Sequence, residues 1–566
     1  MFSRISPRRA RVFASLLVAS LAVAGCKGKE DGTTAGPADI GGTIIIATAA
    51  DAGTLLPPLV QQITDRQVTD LLYDRLADMP DNLNTVGDVG YKPQLAERWE
   101  WAPDSLSIAF HINPHAKWHD GQAVRASDVR YSVKLIKDPA VGSTALPLIT
   151  NIDSVAVRDS VTAVAYFKRH TPEMFYDLVY QVLIVPEHIL GNTPAAQLRD
   201  AEVGRRGIGS GRFRLGKWEP GARIELLADT GNYRGRAKVD RVVFSISPDF
   251  NAASTRFFAG DADVFENLRP EHFPKLAGDT ARRAQPYPTL GYAFLAFNLR
   301  DPKNFSQPNP IFSERAVRRA LTMAVDRRAM LKNVFDTTGK ALFGPFPSSI
   351  SAADTTLPQI AYDTVKAKAL LDSAGWLAGP DGIRAKNGRR LEFALSTPSS
   401  SAARKQYAVL LQDAFRKIGA SMKIDESDFA SMRAKEADRA FDAEMSLFNA
   451  DPSVSGLRQS WTTAAAAKGG SNYTAYSNPT VDALFDSAVT TFDPARTKAY
   501  SRRAFETIIE DAPGIWLYEL SARAGIHKRI RTTPMRADGY WSGLADWWIP
   551  ASQRNARDKI GLRPAQ

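Results

Sequence analysis

Hydrophobic and polar positions follow two rhythms along this chain. Leu106, Ile108, Phe110 and Ile112 recur at every second residue, the period of a strand with one buried face. Short apolar runs at 42–48, 224–227 and 242–246 predict further strands. Elsewhere the period lengthens to between three and four. Val317, Ala320, Leu321 and Ala324 share one face of a helix that Ser313 can cap. Met330, Leu331, Val334 and Phe335 do the same after Asp326, a second capping residue. Tyr407, Leu410, Leu411, Ala414, Phe415 and Ile418 form a third stripe, closed by Gly419 where a C-terminal glycine belongs. Strand-like stretches follow at 422–424 and 441–448. Strands alternating with helices in this way predict an α/β protein of mixed sheets flanked by helices.

The amino-terminal segment has a different pattern. Arg4, Arg8, Arg9 and Arg11 precede an apolar stretch from Val12 to Ala24, and small residues lead to Cys26. A charged start, a short apolar middle and a small-residue end predict a secretory signal peptide over residues 1–25. The apolar stretch is shorter than the roughly 20 residues of a membrane span. Cys26 is the only cysteine of the 566 residues, so no disulfide within the chain competes for it. Its place directly after the cleavage site resembles the bacterial lipobox, in which the thiol carries lipid. Residues 26–40 are then a lipidated cysteine and a flexible tether, polar and rich in glycine and threonine. The expected location is the cell envelope, on the periplasmic side and anchored by lipid. Lys27 after the cysteine leaves inner and outer membrane both open.

Charge and composition narrow the functional class. The net charge is +11, and residues 1–25 hold four arginines and no acid, which leaves +7 beyond them. The excess is scattered, with no basic stripe interleaved with aromatics, which argues against nucleic-acid binding. There is no G-x-S-x-G elbow, no G-x-x-x-x-G-K-[ST] loop and no H-E-x-x-H. Gly207, Gly209 and Gly211 lack the third glycine of a dinucleotide fingerprint, since Arg212 follows, and read as a turn before a strand. His111, His115 and His119 are spaced by four, but Pro114 and the preceding alternation place them on a strand and turn rather than on a metal-binding helix face. No metal, cofactor or catalytic residue is expected.

An ordered set of segments carries a family resemblance. Residues 93–100 read PQLAERWE, followed by Phe110-His111-Ile112, then Lys117-Trp118-His119-Asp120-Gly121-Gln122, then Ala126-Ser127-Asp128-Val129. Residues 184–190, 209–213, 218–221, 232–235, 297–298, 317–327 and 362–376 continue in the same order. Together they resemble solute-binding protein family 5, the oligopeptide, dipeptide and nickel-type receptors of ABC importers. The Lys117–Asp128 block reads as strand, turn and helix start, with Ser127 or Asp128 as the cap, and in the family it belongs to the scaffold.

The resemblance implies a two-lobed periplasmic-binding-protein fold of the class II type. Residues 41–288 would form the first lobe with an inserted subdomain over about 75–205, residues 289–518 the second, and residues 519–566 a return to the first. The chain would cross between lobes near 289–297 and near 515–521. It also implies a monomeric receptor, not an enzyme, that closes on a peptide or similar extended solute and hands it to ABC permease subunits. In the family, a segment resembling G-W-x-x-D-x-x-D-P touches the ligand, and in peptide receptors its first aspartate holds the peptide ammonium. Here the Asp-Pro step is Asp451-Pro452, and Phe448 stands where that aspartate would be. Asp451 reads either as a turn cap or as a ligand group. Ala50, Asp51, Thr289, Tyr292, Phe448, Asn449 and Trp461 are the other candidate ligand-binding residues, taken from strand ends that would face the cleft, and Cys26 is the lipidation site. Two rivals stay open: an exported hydrolase, and a receptor-like chaperone or signalling lipoprotein without an importer.

Overall fold

The structure is a computed structural model and describes residues 39–559 apart from 337–338, 468–469 and 521. The signal segment, Cys26, most of the tether and Ser521 lie outside the described residues. Among the described residues no helix is long and apolar enough to cross a membrane.

Two large mixed sheets organise the chain. The first has seven strands in the order Arg282–Tyr287, Ala522–His527, Val264–Phe265, Thr43–Thr48, Arg241–Ile246, Arg223–Ala228 and Phe213–Glu219. The second has six, in the order Lys340–Ala341, Gly514–Glu519, Gly291–Phe297, Ala443–Asn449, Glu392–Pro398 and Ser421–Ser427. A four-stranded antiparallel sheet, Ala96–Trp101, Ser107–Ile112, Thr162–Phe167 and Ile152–Val157, shares one apolar core with the first large sheet. The predicted alternation holds from Ile108 to Ile112, but the strand begins at Ser107 and Leu106 is exposed. Asp104 Oδ1 accepts the Leu106 N–H (2.9 Å), so Leu106 belongs to the turn.

The strand Gly291–Phe297 reads GYAFLAF because both its faces are buried. Ala293, Leu295 and Phe297 join a core under the helices Arg315–Met323 and Ala402–Arg416. Tyr292, Phe294 and Ala296 join another under the helices Val454–Trp461, Pro479–Ala488 and Pro494–Asp511. The helix Ala402–Arg416 buries Tyr407, Leu411, Ala414 and Phe415, and Gly419 beyond it has φ +86°, which only glycine adopts freely. Truncating Leu411 would cost about 2–5 kcal/mol. Asp326 caps its helix through the Ala329 N–H (3.0 Å). Ser313 does not cap the preceding one, which starts after Glu314.

The block 117–128 works as a brace. Asp128 is buried and accepts from Arg125 N–H (2.8 Å), Trp118 Nε1 (3.2 Å) and Glu187 N–H (2.9 Å), tying the helix Ala126–Lys137 to the 184–190 segment. The cap position is Arg125, with Asp128 reaching back from the first turn, rather than Ser127 or Asp128. The glycine-rich turn lies against the end of the helix Ile63–Leu72: a Cβ on Gly209 would stand 1.8 Å from Leu72 O. His119 accepts from Gly209 N–H at Nδ1 and donates from Nε2 to Gly211 O, both 3.0 Å. Burial pushes the His119 imidazole below its ordinary range, which favours this neutral tautomer.

Candidate ligand-binding cleft

The strands direct the two sheets at each other. In the first sheet Thr43–Thr48, Arg241–Ile246, Val264–Phe265 and Arg282–Tyr287 run the same way. In the second, Glu392–Pro398, Ser421–Ser427, Ala443–Asn449 and Gly514–Glu519 do so. The chain leaves the first sheet after Tyr287 and enters the second at Gly291; it leaves the second after Glu519 and re-enters the first at Ala522. Both carboxyl edges therefore face one gap, the usual place for a ligand in open α/β sheets.

The two crossings lie side by side. Tyr287 pairs with Ala522 on one side and Tyr292 with Glu519 on the other. Between them the Leu520 N–H donates to Gly291 O (2.9 Å), and the Thr289 hydroxyl donates to Leu520 O (2.7 Å). Ser349 Oγ donates to Thr289 O (2.7 Å). Thr289 thus sits in the ribbon that joins the lobes, with its hydroxyl engaged there.

One segment of the first lobe forms the seam on the far side of the gap. Glu173 precedes the helix Met174–Gln181 and reaches the start of the second-lobe helix Val454–Trp461. Its Oε1 accepts from Val454 N–H (2.7 Å) and Thr85 Oγ (3.0 Å), and its Oε2 from Ser455 N–H (3.1 Å) and the Ser455 hydroxyl. A carboxylate of one lobe thus satisfies amide donors at the amino end of a helix in the other, where negative charge is favoured. His170 stacks on Phe492 with centroids 4.0 Å apart. The Tyr176 hydroxyl lies 3.5 Å from Asp451 Oδ2 and receives Gln181 Nε2 (3.3 Å). A recess of about 700 Å³ follows this seam between Asn84, Val86 and Val89 on one side and Ala352, Val454 and Thr497 on the other.

The sequence candidates fall into three groups. Asp451 and Asn449 are at the seam: Asp451 Oδ1 accepts the Ser453 N–H (2.8 Å) as a turn cap while Oδ2 faces Tyr176, and Asn449 is exposed opposite Gly291. Ala50 is exposed and Asp51 half-buried after the first strand. Asp51 is committed to its own lobe, accepting from Trp218 Nε1 (3.0 Å) and Gly221 N–H (2.7 Å). Tyr292 and Trp461, 2% and 1% exposed, belong to the second-lobe core, where Phe294 and Phe448 surround them, and not to a cleft wall. A strand buried on both faces hides the side that sequence alone leaves ambiguous. Phe448 is half-buried against Phe294 (5.0 Å) and Tyr473 (5.4 Å).

The seam residues Glu173, Tyr176 and Asp177 have no motif in the sequence. Burial pushes the Glu173 carboxyl above its ordinary range despite its four donors. Burial, with Glu173 and Asp451 nearby, pushes the Asp177 carboxyl well above its own.

The profile of bacterial extracellular solute-binding proteins, family 5 Middle, matches residues 90–469, more than half of the chain. The chain belongs to this family. The oligopeptide-binding protein AppA of Bacillus subtilis is 27% identical over 558 residues, spanning 94% of this chain and 97% of AppA. The solved structure of AppA in complex with a nonapeptide aligns with a TM-score of 0.69 at 24% identity, over 90% of this chain and 99% of that one. NikZ of Campylobacter jejuni in complex with Ni(L-His) aligns with a TM-score of 0.71 at 24% identity, over 89% and 99%. These likenesses establish the two-lobed periplasmic-binding-protein fold. Family members and relatives are extracellular or periplasmic binding proteins of ABC importers.

Proposed function

We propose that this chain is a lipid-anchored receptor that captures a peptide or similarly extended small solute by closing its two lobes and delivers it to a membrane permease. The observation that carries this reading is the pair of adjacent crossings between two sheets whose carboxyl edges face one another. Such a ribbon lets one lobe swing against the other through a few backbone torsions. The lobes are 41–288 with 519–566, and 289–518, and the solute lies between them near Ala50, Thr289, Asn449 and Asp451. Phe448 supports the wall beside it. Binding makes and breaks no covalent bond, and Cys26 holds the lipid.

Mass spectrometry of the gently isolated protein identifies the retained solute. Small-angle scattering with that solute gives a smaller radius of gyration than without it; steady turnover of a bound peptide would overturn the reading. Cys26→Ala releases the mature protein from membranes, and retention at moderate and high salt would overturn the anchor.

A further inference from the structure

We propose that Glu173, with His170 and Tyr176 beside it, is a latch that holds the two lobes together whether or not the gap is filled, so that the receptor populates its closed form before a solute arrives. This rests on the receptor reading and adds to it what sets the closed population. The three side chains lie within residues 170–176 of the first lobe. Each reaches the second lobe: Glu173 at Val454 and Ser455, His170 at Phe492, and Tyr176 at Asp451. Every contact is made between protein groups, so its contribution to closure does not depend on a solute.

Both halves of the latch are fixed by bonds within their own lobes. In the first lobe, Pro172 O accepts the Gly87 N–H (2.8 Å), and Asn151 Nδ2 donates to the Thr171 hydroxyl (3.1 Å) and to Arg169 O (3.0 Å). The Thr85 hydroxyl donates to Glu173 Oε1 (3.0 Å) and aims the carboxylate outward. In the second lobe, Asp451 Oδ1 accepts the Ser453 N–H (2.8 Å), and Ser453 Oγ caps the helix Val454–Trp461 through the Gly456 N–H (3.0 Å). The Val454 and Ser455 N–H groups belong to the first helical turn, whose amides have no acceptor inside the helix, and Glu173 is theirs. A carboxylate and two amides already in place lose little freedom when they meet. Glu173 and Val454 are 4% and 3% exposed in the joined lobes, so water does not compete for these bonds.

The ring contact lies farther out. His170 stacks on Phe492 with planes 22° apart, and Phe492 is still 42% exposed. Removing the Phe492 ring therefore weakens the latch without opening a core. A latch of this kind acts on the hinge alone. Weakening it lowers the apparent affinity for every solute by a common factor, which loss of a direct solute contact does not do.

The test is small-angle scattering of the full mature protein, stripped of solute by unfolding in guanidinium and refolding. Wild type is compared with Glu173→Gln and Phe492→Ala, with far-UV circular dichroism as the check that each is folded. The expected result is a stripped wild type that scatters as a mixture of closed and open forms. The closed-to-open ratio should fall about 30-fold in Glu173→Gln, which replaces an ionised acceptor of amide bonds, and severalfold in Phe492→Ala. A stripped wild type that scatters as the open form alone overturns the latch, and so does one ratio shared by wild type and variants. If Glu173→Gln does not fold, Phe492→Ala and Ser455→Ala, which removes one hydroxyl donor, decide by the same readout. The receptor reading is tested by added solute and the latch by the stripped protein, so either can fail while the other stands.

Discussion

Two groups of buried carboxylates in this molecule are built on opposite plans. At the base of the first lobe, Asp263 and Asp558 are 0% and 2% exposed and close on Arg529. Arg529 donates to Asp263 (2.9 and 3.0 Å), to Asp558 (2.7 and 3.0 Å) and to Thr43 O (2.8 Å), and Arg557 adds a third bond to Asp263. Burial alone would raise the Asp558 carboxyl, but the bonds from Arg529 hold it below its ordinary range. At the seam, among the described residues, Glu173 is answered only by neutral donors and the Asp177 carboxylate by none. The first group is complete within the chain and fixes one geometry. The second is left short of positive charge in the place where two lobes meet.

The largest effect should come from breaking the complete group. Arg529→Met leaves buried Asp558 without a cation and Asp263 with Arg557 alone, and should lower stability by about 3–5 kcal/mol, read by urea unfolding, while solute affinity of the folded fraction stays the same. Glu173→Ala should come next. It strips acceptors from the second-lobe helix and should weaken closure by about 2 kcal/mol. That appears as a larger radius of gyration and weaker solute binding, with each lobe still folded.

The pH response should separate the groups further. Asp177 is raised in the folded state, so its contribution to stability is present at low pH and lost as the pH rises through its folded value. Asp177→Asn removes that loss. The variant should therefore melt above the wild type at neutral pH, and the gap should close as the pH falls. The smallest effect on stability should come from Asp451→Asn, within about 0.5 kcal/mol, because asparagine caps the same turn. Its effect on solute binding should be far larger, and unchanged affinity would make Asp451 a turn cap alone.

Much of the fold was legible because it rests on local rhythm. The strand 107–112, the helix stripe through Leu411 and the Asp326 cap are set by neighbours in sequence. Residues 93–129 carried the family through the brace that Asp128 makes with Trp118 and Glu187. The seam was not legible. Glu173 and Val454 are 281 residues apart, and nothing in TPEMFYDLVY distinguishes an acid that faces another lobe from one on a solvated helix. Tyr292 and Trp461 misled for the opposite reason: an aromatic at a strand end looks the same whether it lines a cleft or fills the core behind it.

The Arg529 clamp also sets an order of events. Thr43 donates its amide to Asp558 (3.0 Å) across 515 residues of sequence, and its strand lies between partners from 241–246 and 264–265. A chain that emerges amino end first meets its second lobe's strands long before the residue that locks the first strand in place. Closing so long a loop carries the larger entropic cost and comes late. The first lobe is thus the last to mature, since its first strand is locked only when its carboxyl-terminal tail is in place.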